Sequence, residues 1–437
     1  MTAEFPQSNS LASWLSWMET LHPREIELGL ERVREVAGRL ALEHLPFPVI
    51  SVAGTNGKGS TVAMLEAILH AAGYRVGAYT SPHLSDYNER VRVSSVAVSD
   101  SELCAAFERV EAARGATNLT YFEFGTLAAA DLFRWQQIDI AILEIGLGGR
   151  LDAVNLWDAD VAVISSIGID HTDWLGPDRE SIGREKAGIF RAGRPAICAD
   201  PQPPDSIAQS ASRVGANLLR IGHDFGFERG VADWTWRASA PRIERVRAAL
   251  PYPAMRGDYQ LRNASGALMA LECVAARFPV TQGDVRAGLL AAVLPGRFQT
   301  LPGTPVRVLD VAHNAQAAQA LAATLKSQRI DGKTLAVAGM LRDKPMTDVL
   351  AALAGVVDVW HLATLATARG ASAEQMEDAL RAAGVSAPAT RHKNPGEAYS
   401  AAMAQALQSD RVVIFGSFYT VGAIMRALSI ERSARGS

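Results

Sequence analysis

The segment Val52–Thr61 reads VAGTNGKGST. A glycine-rich turn between a strand and a helix lets backbone N–H groups approach phosphates, and the helix N-terminus adds positive potential. Lys58 offers a cation that can reach terminal phosphates, and Ser60 a hydroxyl that can hold Mg²⁺. The spacing departs from the standard phosphate loop, because Gly59 separates Lys58 from the hydroxyl residue. A plain glycine-rich strand–helix turn is the competing reading. Lysine usage weighs against it. Only Lys58, Lys186, Lys326, Lys333, Lys344 and Lys393 are lysines among 43 Lys plus Arg, so a lysine inside such a turn stands out.

Three further segments carry candidate chemistry. In Ile142–Asn155 (ILEIGLGGRLDAVN), Glu144 sits near the carboxyl end of an apolar run, the strand end where open α/β sheets bind ligands. A carboxylate there is costly unless paired or metal-bound, and a helix cap or an arginine partner is the alternative. Gly146, Gly148 and Gly149 make the next loop either mobile or tightly turned. In Ile169–Arg191, His171 follows a buried-type strand and offers an imidazole for a metal, or merely a structural histidine. Lys186 lies in a short helical stretch, where a lysine is usually a solvated charge. If buried, its pKa falls, and the neutral amine can add carbon dioxide to become a carbamate, an oxygen ligand for Mg²⁺. The last group is Asn263, Arg297 in LPGRFQ, and Asp310–Asn314 (DVAHN). Each alone reads as a cap or a salt bridge. Together they flank an expected domain junction.

The elements that must position these residues alternate. Apolar runs at Pro48–Ala53, Arg75–Tyr79, Ile138–Ile145, Asp160–Ser165 and Pro195–Ala199 read as strands. Helical periodicity separates them at Ser60–Ala72, Ser99–Ala113 and Glu123–Trp135. That rhythm predicts βαβ units and a largely parallel sheet. Trp14 and Trp17, with Leu11, Leu15, Met18 and Leu21, recur at helical spacing and predict a packed helix face. Trp234 and Trp236 alternate as in an antiparallel strand. The pattern restarts after the link Leu301–Pro305 (LPGTP), with strands at Arg307–Asp310, Leu335–Gly339, Val357–Ala363 and Arg411–Phe415. The boundary falls near residue 298, giving expected domains 1–297 and 298–437.

Composition narrows the class. The chain has 437 residues, enough for two or three domains. Apolar residues are 48% and charged residues 20%, a globular profile. A net charge of −3 argues against a generally basic nucleic-acid binder. Cys104, Cys198 and Cys273 are too few and too dispersed for a disulfide framework or a short-spaced zinc site, and suit a reducing compartment. No cationic stretch with an apolar core opens the sequence, and no run of about 18 apolar residues occurs. No secretory leader and no membrane span are expected.

In this order, the motifs resemble the bacterial folylpolyglutamate synthase/dihydrofolate synthase family, within the Mur-type ATP-dependent amide ligases. LASWL, LGLERV, VAGTNGKGS, SPHL with NERV, TYFEFGT, LEIGLGGRLDA, DHTDWLGPDRESIGREKAGIF, LPGRFQ, LDVAHN, GML with DK, and GSF with TV match in place. The resemblance runs from about Leu11 to about Val421. It implies an α/β chain: a P-loop ATPase domain with a mostly parallel sheet, and a smaller C-terminal Rossmann-like domain, with the active site in the cleft. ATP contacts are implied at Gly57, Lys58, Gly59 and Ser60, and at Asn263, Arg297, Asp310 and His313. One Mg²⁺ site is implied at Ser60, Ser81 and Glu144, and a second near His171 and carbamylated Lys186. Lys58, Lys186 and His171 are the implied catalytic residues. Pterin contacts fall on Glu25, Ile26, Glu27 and Leu28, on Thr120, Tyr121, Phe122 and Glu123, and on Leu151, Asp152 and Ala153. Val154, Ala315 and Pro345 depart from the family's usual Thr, Pro and acid, without removing an implied ligand.

The implied activity is ATP-dependent addition of L-glutamate to 7,8-dihydropteroate, forming dihydrofolate, and to reduced folates, forming polyglutamates, through an acyl phosphate. Small-molecule substrates, a cytoplasmic location and a monomer are expected, with neither nucleic acid nor membrane as partner. A folylpolyglutamate-only enzyme shares every ATP motif and is the first alternative. Cell-wall Mur ligases usually add an N-terminal domain for a UDP group. The phosphate loop here begins about fifty residues in, and no such domain is expected. A nucleotide switch that needs no glutamate is the reading from another class. The four lysines without an implied role, Lys326, Lys333, Lys344 and Lys393, are expected to be solvated.

Overall fold

The computed structural model describes residues 10–24 and 26–428. The chain divides into two compact units. The first takes the described residues of Met1–His83, with Tyr87–Ala254 and Leu261–Ala292. The second takes Leu84–Asp86, Met255–Gln260 and the described residues of Val293–Ser437. It thus starts a few residues before the expected boundary and includes two short excursions, because packing rather than chain continuity defines a unit.

The first unit is built on an eight-stranded sheet. Its order is Val96–Ala97, Val91–Val93, Val76–Tyr79, Ile140–Glu144, Val49–Ala53, Val161–Ile164, Pro195–Cys198, Asn217–Arg220. Pairing is parallel from Val76–Tyr79 onward, and the two outer strands on the other side run antiparallel. The fully buried strand Val49–Ala53 lies at the centre, and its β-branched content suits a strand covered on both faces. Sequence periodicity missed the short edge strands, which have too few residues to show a period.

Helix Lys58–Ala71 begins two residues earlier than the sequence predicts, so Lys58 is helical. Gly288 lets helix Gln282–Ala291 lie close on it: a Cβ there would come within 2.5 Å of the Ile68 backbone. The predicted aromatic helix Leu11–Met18 is present. Trp14 sits 5.4, 5.9 and 6.5 Å from the rings of Trp17, Phe107 and Phe124 and is fully buried. Trp234 and Trp236 occupy the middle strand of a separate three-stranded antiparallel sheet over Phe225–Leu250.

The second unit carries a six-stranded sheet in the order Gln299–Leu301, Val306–Leu309, Arg411–Phe415, Thr334–Ala338, Val359–Ala363, Ala389–His392. All neighbours pair in parallel except the first, which turns back on Val306–Leu309. Helices including Ala315–Ser327 and Phe418–Ala427 follow strands on this sheet, the Rossmann-like arrangement that the resemblance implies. Lys326, Lys333 and Lys393 are exposed as expected. Lys344 is not: it is buried at 8% exposure, beside the short bridge between Leu341 and Gly370.

Candidate active site

The strand Val49–Ala53 delivers the chain directly into the glycine-rich loop. Gly57 caps the following helix at φ 86°, a left-handed conformation that a side chain resists. An added Cβ would come within 2.5 Å of Asn263 Oδ1. Asn263 therefore stands against the loop itself. The sequence had grouped it with Arg297 and Asp310, which belong to the other unit. Thr55 and Asn56 are laced to the next strand's exit: Asn56 N–H donates to Ser166 Oγ (3.0 Å), and Thr55 Oγ1 donates to the Gly168 carbonyl (3.0 Å). The loop is held before any ligand arrives, which lowers the ordering cost of binding.

Lys58 extends back along the loop. Its Nζ donates to the Gly54 carbonyl at 3.1 Å and stands 4.0 Å from Glu144 Oε1. Glu144 ends its strand directly opposite Val52 and is 5% exposed. The Ser81 N–H points at Glu144 Oε2 from 3.4 Å, and Ser60 is buried in the first turn of the helix. One buried carboxylate, two hydroxyl residues and a cation thus share a strand edge. Among the described residues, no group of three His, Cys, Asp or Glu gathers into a metal cage. This donor set fits Mg²⁺, a hard cation that keeps waters and takes phosphate oxygens with only one or two carboxylates.

Lys186 ends helix Arg179–Lys186, whose start is fixed by a capping box between Asp178 and Ser181. It is 3% exposed, so the solvated-charge reading is wrong for this lysine. Burial, then the nearby Lys58 charge, push its pKa down to about 7, against the opposing pull of Asp170 and Asp152. A helix C-terminus favours a cation by only about 0.3–1 kcal/mol, so desolvation prevails. Asp152 shows the mirror effect. Burial lifts its carboxyl to about 7, although it accepts N–H bonds from Leu147 (2.8 Å) and Val154 (3.0 Å) and feels Lys58. The 146–150 loop is tightly turned. A Cβ on Gly149 would meet the Glu185 carbonyl at 2.7 Å. His171 is half-buried and holds φ 52°, a sparsely populated conformation for a non-glycine residue. Its N–H donates to Asp170 Oδ1 at 2.9 Å.

Two of the three pterin segments expected from the resemblance meet at the 146–153 loop. Gly29 N–H donates to the Leu151 carbonyl at 3.2 Å, and Phe122 lies against Gly146. Ile26, Glu27 and Leu28 are half-buried. Glu25 lies outside the described residues. Thr120 and Glu123 face inward as the capping box of helix Tyr121–Trp135, with Thr120 N–H on Glu123 Oε2 at 2.8 Å. Tyr121 stacks with Arg90 (5.6 Å), which also lies over Tyr87.

In the second unit, Asp310 closes the strand Val306–Leu309 and accepts N–H bonds from Phe298 and Ala312, both at 2.8 Å. Burial raises its pKa, with Arg297 opposing. Arg297 lies 5.2 Å over the Phe418 ring, and His313 is beside the same ring with Nδ1 2.8 Å from the Val311 carbonyl.

Comparison with known proteins identifies the family. Residues 52–270 match the Mur ligase middle domain, and residues 296–418 match the Mur ligase, glutamate ligase domain. The dihydrofolate synthase/folylpolyglutamate synthase of Escherichia coli K12 is 48% identical over 430 residues, covering 98% of each chain. The chain belongs to this family. The structure of E. coli FolC in complex with DHPP and ADP superposes with a TM-score of 0.91 at 47% identity, over 98% of this chain and 99% of that one. A bifunctional folylpolyglutamate synthase/dihydrofolate synthase with Mn, AMPPNP and L-glutamate bound gives 0.89 at 47% identity, over 98% and 100%.

Sequence reasoning missed charged groups that lie beside the candidate site residues. Asp170 is one, acting on buried Lys186. Arg92 is another: it clamps buried Glu66 (2.8 Å) and donates to Thr80 Oγ1 (3.1 Å), next to Ser81. Arg32 is a third. Each sits inside or beside a matched motif, and a charge on a helix or strand edge reads from sequence as solvated.

Proposed function

We infer that the chain is an ATP-dependent carboxylate–amine ligase that adds L-glutamate to 7,8-dihydropteroate, giving dihydrofolate, and to reduced folates, giving polyglutamates. The observation that carries this reading is the gathering of Lys58, Glu144, Asp152 and Lys186 at one sheet edge, beside the phosphate loop.

A carboxylate does not acylate an amine at a useful rate. Transfer of the γ-phosphoryl group of ATP to the pteroate or folate carboxylate gives an acyl phosphate and ADP. The α-amine of glutamate then forms the C–N bond, a proton is lost, and phosphate leaves with the C–O bond. The protein's work is positioning and charge neutralisation. Gly57, Gly59 and Ser60 present N–H groups to phosphate, and the Lys58 side chain faces the transferred group. Asn263 serves the nucleotide beside the loop, with Arg297, Asp310 and His313 on the adenine and ribose side. Mg²⁺, when bound, neutralises phosphate charge: Ser60, Ser81 and Glu144 would hold one ion, His171 and carbamylated Lys186 the other. The lowered pKa of Lys186 favours carbamate formation, since the neutral amine is the form that bonds to carbon dioxide and releases a proton.

In this reading residues 1–297 are the ATPase domain and 298–437 the ligase domain. The enzyme works as a cytoplasmic monomer on small molecules, without nucleic acid or membrane. No helix among the described residues is long and apolar enough to cross a membrane. The test is ADP release in the presence of glutamate, with 7,8-dihydropteroate and tetrahydrofolate supplied separately. Release with both supports two activities. Release with tetrahydrofolate alone leaves a folylpolyglutamate synthase. Release that ignores glutamate overturns the ligase reading.

A further inference from the structure

Arg32 lies in the second turn-forming helix of the chain, Glu31–Arg39, and none of the expected substrate contacts includes it. Its guanidinium spans two of the three pteroate segments. Nη1 donates to Glu27 Oε1 at 2.8 Å and Nη2 to the Glu27 carbonyl at 3.0 Å. Nη2 also reaches Glu123 Oε1 at 3.0 Å, and Nε reaches Glu123 Oε2 at 3.4 Å. On the Glu123 side the pairing is fork to fork, the geometry that arginine makes and lysine does not.

The two carboxylates are not equivalent. Glu123 is buried and already closes the cap of helix Tyr121–Trp135 through Thr120. It is a rigid anchor. Glu27 is a third exposed and belongs to an irregular stretch without helix or strand. Its other oxygen faces His22 Nε2 (3.4 Å) and Arg24 (3.6 Å), and Arg24 is largely exposed. Only Arg32 joins this stretch to the fixed helix by side-chain ion pairs among the described residues. A backbone bond from Gly29 to the Leu151 carbonyl ties the same stretch to the third segment. Loop residues held by few contacts sample many conformations, and each must be frozen out when a ligand binds.

We propose that Arg32 is a positioning residue for the pteroate cradle, clamping the Ile26–Leu28 loop to the capped start of helix Tyr121–Trp135 so that the three segments present one preformed surface. This rests on the assignment of those segments to pteroate. The clamp acts on the acceptor substrate and not on the nucleotide, because the phosphate loop is held by a separate set of bonds to residues 165–168.

The test compares Arg32→Met and Arg32→Lys with the parent, measuring KM for 7,8-dihydropteroate, KM for ATP and melting temperature. Arg32→Lys keeps a cation beside buried Glu123 and guards against misfolding, but cannot span both carboxylates. KM for dihydropteroate is expected to rise about tenfold or more in Arg32→Met, and by less in Arg32→Lys, while KM for ATP stays within about twofold. The double variant Arg32→Met/Glu27→Gln should be no worse than the worse single variant, since both cut the same clamp. Equal rises in both KM values, or an unchanged KM for dihydropteroate in a folded Arg32→Lys, overturn the proposal, and so does full additivity in the double variant. A parent enzyme with no dihydropteroate-dependent ADP release would instead defeat the underlying assignment, which separates the two failures.

Discussion

Replacing Lys186 by Met should make the protein more stable and less active at once. The amine is buried, and its pKa falls from 10.5 to about 7 in the folded chain. Each pKa unit corresponds to about 1.4 kcal/mol, so below pH 7 the folded state carries a penalty of about 5 kcal/mol for holding this cation. The sign follows from proton counts. Between pH 7 and 10.5 the unfolded lysine keeps its proton and the folded one does not, so stability of the parent rises with pH across that window. Below pH 7 both forms are protonated and the penalty is complete. At pH 9 about 2 kcal/mol of it remains. Methionine has similar length and no charge, so Lys186→Met should gain most at pH 6 and progressively less toward pH 10. The measurement is urea unfolding of parent and variant at pH 6 and pH 9, in buffer depleted of carbon dioxide and lacking metal and nucleotide. Asp152 titrates in the same range but is present in both proteins, so the difference isolates Lys186 to first order. A parent that is the more stable protein at pH 6, or a stability difference that does not change with pH, would refute the desolvation account. The same variant should lose most ligase turnover at ordinary Mg²⁺, and near-parental rates would remove Lys186 from the catalytic set.

Further substitutions probe the parts separately. Gly149→Ala would place a Cβ 2.7 Å from the Glu185 carbonyl and 2.9 Å from that of Lys186, so it should cost about 1–3 kcal/mol by overpacking and lower turnover by displacing Lys186; calorimetry and steady-state kinetics on one preparation read both. Lys58→Met should reduce kcat/KM for ATP about a hundredfold or more, as expected for loss of a preorganised phosphate-facing charge, and a loss under tenfold would argue for a merely structural lysine. Trp14→Ala empties a site among Trp17, Phe107 and Phe124 and should cost about 3–5 kcal/mol in denaturant unfolding, leaving KM for ATP unchanged in the folded fraction.

The sheet-forming rhythm of both units was legible because buried parallel strands are apolar runs, and the helices between them repeat at their own period. The motif of the glycine-rich loop was equally local: glycines, one lysine and a hydroxyl lie within ten residues, although residues 165–168 hold the loop in place. Glu144 was readable as a carboxylate at a strand's end. The short strands Val91–Val93 and Val96–Ala97 were not, being too brief to carry a period and paired antiparallel at an edge. Glu123 and Thr120 matched a motif, yet that motif is also a helix cap, and the structure uses it as one.

Sequence alone determined which groups exist and that Glu144 closes an apolar run. Tertiary structure decided the charge of Lys186. Lys58 and Lys186 are both lysines in glycine-bearing motifs, and nothing local distinguishes their protonation. Only packing puts Lys58 within reach of Glu144 and buries Lys186 beside Lys58, so the second amine gives up its proton near pH 7. Arg32 is the same lesson for a surface-type residue. Its partners lie five and 91 positions away, a separation over which a one-dimensional pattern carries no information about distance.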